Sequence, residues 1–286
     1  MIRAERGEVS LTALLMSCTL LIVVLGATLT MFEGFSSQAS DATRRTDAQD
    51  AARTAADSIA RALRNLASPT PDQPQAVDYA GGSDLIFKTV DPAGPNAGTN
   101  ATNTKRVRYC LDTAGRLQEQ TQTWTTLAIP ALPSRAACPA SGWTRTTVAA
   151  AGIVNGTTTA IFTYDSAVLT DIALIHVELL VDTDTVRLPP ATSLSTGVFL
   201  RNQNRRPSSS FVATRTAGGF VLNGSASADP EGDPLRYTWF DGTTQVGTGI
   251  TFNYTGLSAG SSHQLRLEVA DPAGLTGVSA TQAVTA

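Results

Sequence analysis

Leu11-Thr-Ala-Leu-Leu-Met-Ser-Cys-Thr-Leu-Leu-Ile-Val-Val-Leu-Gly-Ala-Thr-Leu-Thr-Met-Phe32 is a run of 22 residues without Asp, Glu, Lys or Arg. About 20 apolar residues in a helix cross the ~30 Å hydrocarbon core of a bilayer, so the run is long enough to span. A cleavable secretory signal has an apolar region of roughly 7–15 residues and an Ala-x-Ala-like cleavage site. Here the run is longer and leads into Thr30-Met-Phe-Glu-Gly-Phe35. Leu15-Met-Ser-Cys18 faintly resembles a lipobox, but the apolar run continues past it, which a lipid anchor does not need. Arg3 and Arg6 precede the run, and the positive-inside bias then places the N-terminus in the cytoplasm and the rest of the chain outside.

The residues that follow extend the helix. From Asp41 to Leu66 there is no Gly or Pro, and Ala48, Ala52, Ala55, Ile59, Leu63 and Leu66 recur with helical period. Arg44, Arg45, Asp47, Asp50, Arg53, Asp57, Arg61 and Arg64 fall mostly off that stripe, and Ser68-Pro-Thr-Pro71 ends the pattern. One helix is therefore predicted over 8–67, with 11–32 in the membrane and a narrow, Ala-rich stripe shaped for close packing on a sheet. Beyond it, 68–204 reads as β-rich. Ser83–Val90, Lys105–Leu111, Arg116–Trp124, Thr159–Tyr164, Asp171–Asp182 and Val198–Asn202 show near-alternation or β-branched enrichment, and Asp112-Thr-Ala-Gly115 makes a hairpin of the second and third.

Arg6-Gly7, the polar opening Glu8-Val-Ser-Leu-Thr-Ala-Leu-Leu15 and an unbroken apolar helix resemble the leader of a type IV pilin or pseudopilin. Tyr109-Cys-Leu111, Gln118–Trp124, Cys138-Pro139 with Trp143, and Leu200-Arg-Asn202 resemble elements of minor pilins of Gram-positive bacteria. The resemblance covers roughly residues 5–204. It implies a pilin fold, an α+β arrangement of a long N-terminal helix on an antiparallel sheet. It also implies a leader, 1–7, cut by a prepilin peptidase after Gly7, with Glu8 becoming the methylated N-terminus. An alternative register starts at Val9. In the first register Thr12, and in the second Ala13, stands where the family carries a glutamate. A carboxylate in a bilayer is expensive and is kept for a partner, so a chain lacking it reads as a minor, tip-type subunit. The implied partners are major and other minor pilins, the membrane assembly platform and the peptidase, with a surface ligand or DNA met through the filament. The rival reading is a single-pass anchored adhesin that never enters a filament.

With Cys18 in the membrane segment, Cys110 and Cys138 are the pair on the far side, where an oxidising compartment favours a disulfide. Zinc is the competing use, but two cysteines fall short of four ligands. After the polar connector 205–210 the composition changes, and several short strands with turn signals imply an all-β sandwich over 211–286. Gly219-Phe-Val-Leu-Asn-Gly-Ser-Ala-Ser-Ala-Asp-Pro-Glu-Gly-Asp-Pro-Leu-Arg-Tyr-Thr-Trp-Phe240 and Leu265-Arg-Leu-Glu-Val-Ala-Asp271 resemble a polycystic-kidney-disease-type, immunoglobulin-like domain. In that resemblance Tyr237 and Trp239 alternate into the core, and Leu265, Leu267 and Val269 do so opposite.

Chemistry is sparse. Asp229, Glu231 and Asp233 are oxygen ligands at alternating positions, suited either to calcium or to a tight Pro/Gly turn with solvated carboxylates. No other cofactor is expected. His176 sits on an apolar strand and His263 in a loop before a strand, neither read as having the Cys, Ser or Asp neighbourhood of a nucleophilic site, so structural roles are expected and no enzymatic activity. Asp182 and Asp184 read as a strand ending in a turn. No Gly-rich phosphate loop is present, the net charge of −3 argues against nonspecific DNA binding, and Arg201, Arg205 and Arg206 read as a solvated linker.

Overall fold

The computed structural model describes residues 11–71, 74–91, 103–125, 128–156, 159–183 and 191–286. Helix α1, Leu11–Arg64, is continuous over 54 residues, or roughly 80 Å at 1.5 Å per residue. Its packing begins only in the last third. Ala52, Ala55, Ile59, Ala60 and Leu63 are buried while Arg53, Asp57, Arg61 and Arg64 face solvent. The helix stops three residues before the predicted end, and Ser68-Pro is not what stops it. The Thr89 hydroxyl donates to the Ala62 and Asn65 carbonyls at 3.0 and 2.6 Å, which satisfies C-terminal acceptors that a helix leaves open. Ala67 N–H then donates to the Lys88 carbonyl and Val90 N–H to that of Asn65, so the strand carrying Thr89 captures the chain before proline is reached.

The α+β organisation expected from the sequence is present, but the helix packs on two antiparallel sheets rather than one. Five strands form a meander in chain order: β1 (Val77–Ala80), β2 (Asp84–Val90), β3 (Thr104–Leu111), β4 (Leu117–Thr123) and β5 (Arg145–Ala150). Three more form a second sheet: β6 (Phe162–Tyr164), β7 (Leu174–Val181) and β8 (Thr192–Phe199). Leu85, Phe87, Val107, Tyr109 and Leu117 from the first sheet and Ile175, Val177, Leu179 and Val198 from the second meet the helix stripe in one core. Full burial of each large aliphatic side chain stabilises by about 1.5–3 kcal/mol. Strand β8 lies ahead of the predicted 198–202, because Thr192-Ser-Leu-Ser-Thr-Gly carries little apolar alternation, and the Thr-rich β5 escapes notice for the same reason. Strand β6 is shorter than predicted: Ile161 and Phe162 both turn their N–H groups to the Gly82 carbonyl, at 2.7 and 2.9 Å.

The outer face of the meander is polar and nevertheless buried. Val107 and Tyr109 of β3 point to the helix, so Arg106, Arg108 and Cys110 point away, and all five are buried. Residues 130–137 of the connection to β5 cover them. Arg108 grips Asp84 through two nitrogens, at 2.8 and 2.9 Å, and donates to Gln120 Oε1 and to the Ala137 carbonyl, each at 3.0 Å. Arg106 pairs with Asp78 at 2.7 Å and reaches the Pro130 carbonyl at 3.2 Å. Gln120 exchanges two hydrogen bonds with the Ala140 backbone. Cys110 and Cys138 are joined, with Cα atoms 6.0 Å apart and a sequence separation of 28. Closing a loop of that length adds roughly 3–4 kcal/mol in the chain-entropy model. A Cys110→Ser, Cys138→Ser chain should lose about that much in a urea titration, with the covering segment becoming the preferred protease site.

Just ahead of the 205–210 connector the chain is tied down on three sides. Asn202 donates to the Leu66 carbonyl, Gln203 to that of Leu169 and Asn204 to Asp271 Oδ2, at 3.1, 2.9 and 2.7 Å. Three successive side chains thus tie the helix end, the head and the sandwich to one backbone segment. Arg205 is clasped by Glu231 at 2.5 Å, while Arg201 and Arg206 are exposed. The sandwich comprises β9 (Val212–Thr216), β10 (Gly219–Asn223) and β13 (Thr251–Thr255) in one sheet. The other sheet holds β11 (Arg236–Asp241), β12 (Thr244–Thr248), β14 (Ser262–Ala270), β15 (Thr276–Val278) and β16 (Gln282–Thr285). Trp239 is fully buried, with the Phe211 ring edge-on at 5.3 Å. One expectation is corrected. Trp239 pairs directly with Leu267 in the same sheet, and the residues across the core are Phe220 and Leu222 from β10, with Phe211.

Candidate functional site

The first part of α1 is bare. Every side chain from Leu14 to Ser40 is exposed, among them Leu20, Leu21, Ile22, Val23, Leu29, Met31, Phe32 and Phe35. The apolar window has a mean hydropathy of 2.2 and lies near the N-terminus. The hydroxyls within it are already satisfied. Ser17, Thr28 and Thr30 each donate to a carbonyl three residues back, at 2.9 Å, and Thr19 to the Leu15 and Met16 carbonyls. Polar groups that bond inside their own helix can enter hydrocarbon without an unmet donor. The helix is therefore long and apolar enough to cross a membrane, with the polar head and sandwich carried at its C-terminal end. Gly7 and Glu8, the expected processing residues, lie outside the described residues, as does Asp184.

Electrostatics in the head are structural. Asp112 accepts from the Ala114 and Arg116 N–H groups, each at 2.9 Å, and from the Arg116 guanidinium and Gln118, each at 2.8 Å. Burial pushes its carboxyl upward, yet these donors outweigh burial and hold the pKa at about 2. A carboxylate depressed in the fold contributes its full stability above its unfolded value, near 3.9, and loses it as pH falls through about 2. Urea midpoints of the head should therefore drop between pH 4 and 2, and the drop should be shallower in an Asp112→Asn chain that is already weaker at pH 7.

Asp229, Glu231 and Asp233 do not converge. Asp229 Oδ1 accepts the N–H groups of Glu231 and Asp233, at 2.9 and 3.1 Å, as a turn brace. Glu231 instead holds Arg205. Among the described residues no group of three or more His, Cys, Asp or Glu is arranged to hold a metal ion.

His263 differs from its sequence reading. It lies within β14 rather than in a loop, and the fold gives it both a serine and an aspartate. Its Nδ1 is 2.6 Å from Asp241 Oδ2, and its Nε2 is 2.7 Å from Ser261 Oγ. Asp241 sits on the neighbouring strand β11, with Oδ1 accepting the Gln264 N–H at 2.8 Å and Oδ2 the Tyr254 hydroxyl at 3.1 Å. Burial raises the Asp241 carboxyl, but the His263, Gln264 and Tyr254 contacts hold it below its usual value. Ser261 and His263 stand two apart, a spacing that puts side chains on one side of a strand. That spacing is the only part of the row a sequence displays, since Asp241 arrives through strand pairing across 22 positions. His176, by contrast, is exposed on β7 and has no such partners among the described residues.

No protein-family model matches this chain, and no curated protein is significantly similar to it.

Proposed function

We propose that the chain is a subunit of a type IV pilus or a related pseudopilus, of the minor, tip-type class, with an immunoglobulin-like sandwich carried for adhesion or partner contact. The observation that supports this most is the division of one continuous helix. Its first part is apolar and bare, and its last part is an alanine stripe sunk into the head. An anchor needs only about 20 residues; a stiff continuation that docks a folded head is what a filament subunit uses to stack its helices inside and its heads outside. Thr12, or Ala13 in the other register, leaves the apolar segment without the carboxylate that a repeating subunit offers its neighbour, which suits a position with no subunit above. The three-residue strap then holds the sandwich against the head instead of letting it swing. Partners in this reading are the major pilin, other minor pilins and the membrane assembly platform.

Cleavage tests the proposal. The mature N-terminus, read by mass spectrometry from cells with and without prepilin peptidase, should begin at Glu8 only when the peptidase is present. A chain that keeps Met1 in both strains is a permanent single-pass anchor with an adhesive head. The departures at Glu8 and Thr12 are the observations that favour that second reading. Loss of surface filaments or of DNA uptake on deletion supports the first, and unchanged piliation the second.

A further inference from the structure

We propose that Ser261 is a nucleophile, activated by His263 and Asp241, that reacts with acyl esters presented to the outer end of the sandwich. The site is built from three segments. Asp241 ends β11, His263 is the second residue of β14, and Ser261 follows Gly260, whose φ of +81° sets a turn that a side-chain-bearing residue rarely makes. The Ser261 backbone is fixed on both sides. Its carbonyl accepts the Ala286 N–H and its own N–H donates to the Ser258 carbonyl, each at 3.0 Å. These bonds hold the Ser261 backbone beside the imidazole.

The distances define the roles. A hydroxyl becomes a competent nucleophile when an adjacent base takes its proton and a third group orients that base. Ser261 Oγ to His263 Nε2 is 2.7 Å and His263 Nδ1 to Asp241 Oδ2 is 2.6 Å, both within hydrogen-bond reach for proton transfer. Asp241 is itself immobilised by the Gln264 N–H and the Tyr254 hydroxyl, so the imidazole tautomer with its proton on Nδ1 is the one it selects. The Ser261 hydroxyl also has the Ser258 carbonyl as an acceptor, 2.6 Å away; transfer uses the nitrogen, the only one of the two that can keep the proton.

The step balances without a cofactor. Ser261 Oγ adds to the acyl carbon as its proton passes to Nε2. The bond from that carbon to the leaving oxygen breaks as the same proton is delivered to the departing alcohol. Water then attacks the acyl-serine, passing one proton through Nε2 back to Ser261, and a carboxylic acid leaves. Location narrows the substrate. The strap meets the sandwich at Asp271, and His263 lies eight residues up β14, or roughly 26 Å away at 3.3 Å per residue. Ser261 and His263 are half-buried there, suiting an ester carried on a larger external molecule, such as an O-acylated polymer. This inference stands whether or not the chain enters a filament.

The full-length chain in detergent micelles, treated with a fluorophosphonate probe, tests it. The adduct should map to Ser261, with labelling of the neighbouring Ser258 and Ser262 slower by orders of magnitude. His263→Gln should slow labelling of Ser261 by about 10²–10⁴-fold, the usual contribution of a positioned base, and Asp241→Asn should slow it as well. Denaturing the unmutated chain in urea should abolish the preference, a control that needs no variant to fold. Equal labelling of the three serines in the native chain, or a His263→Gln chain that keeps its melting temperature and the full rate at Ser261, overturns the proposal.

Discussion

Replacing Trp239 with alanine is expected to destabilise the C-terminal sandwich by about 3–5 kcal/mol, the range for removing a buried tryptophan. The side chain is fully enclosed between sheets, meets Phe211 edge-on and donates from Nε1 to the Gly249 carbonyl at 2.8 Å. Truncation therefore removes the largest apolar surface in this core, leaves a cavity bounded by Phe220, Leu222 and Leu267, and strands a carbonyl. For a domain of this size each kcal/mol moves the melting temperature by about 4–8 °C. Calorimetry should consequently show a sandwich transition lowered by tens of degrees. The position of the head transition is the informative part. The head has its own core and disulfide, so it should stay in place. If both transitions move together, the Asn202–Asn204 strap transmits stability between the two, and an additional Asn204→Ala should separate them.

Arg108→Ala is expected to cost the head about 3–5 kcal/mol, because removing one member of a buried pair leaves its partner charged and unmatched. Arg108 is 1 % exposed, and its guanidinium serves Asp84, Gln120 and the Ala137 carbonyl together. Lysine should rescue little, since one ammonium cannot reproduce the two-nitrogen grip on Asp84 while also serving Gln120 and the covering loop. Asp84→Asn in the same chain should recover part of the loss by removing the orphaned charge. A double-mutant cycle across Arg108 and Asp84, followed by urea unfolding, should therefore give a coupling energy well above the ~1 kcal/mol of a surface pair. A coupling of that smaller size would mean that water reaches the layer beneath residues 130–137.

These two sites differ in how far sequence reveals them. Tyr237, Trp239, Leu265, Leu267 and Val269 advertise a strand core by alternation, but alternation does not say which strands lie side by side. Trp239 and Leu267 prove to be register partners on adjacent strands of one sheet rather than facing layers. Arg106 and Arg108 occupy the polar phase of a strand, which in isolation reads as a solvated face. They are buried because a loop tied down through Cys138 lies over them and turns its Pro130, Ala131, Arg135 and Ala137 carbonyls to their guanidinium groups. The Asp241, His263 and Ser261 row was hidden for the same reason, as its aspartate is remote in sequence and adjacent only after pairing of β11 with β14.

By itself the sequence determined the long helix, its charge-free span, the alanine stripe, most of the strands with apolar alternation and the change of character near residue 205, because each is a local or periodic signal carried by neighbouring residues. The tertiary structure decided where the helix stops, how many sheets receive it, what covers the polar face of the meander, that the chain is tied down just ahead of the connector, and which groups flank His263. All of these depend on contacts between residues far apart in the chain, where the deciding factor is whether a buried donor or acceptor finds its partner. Thr89 ends the helix in that way, Ala137 and Gln120 bury Arg108, and Asp241 turns an unremarkable strand histidine into the centre of a hydrogen-bonded row.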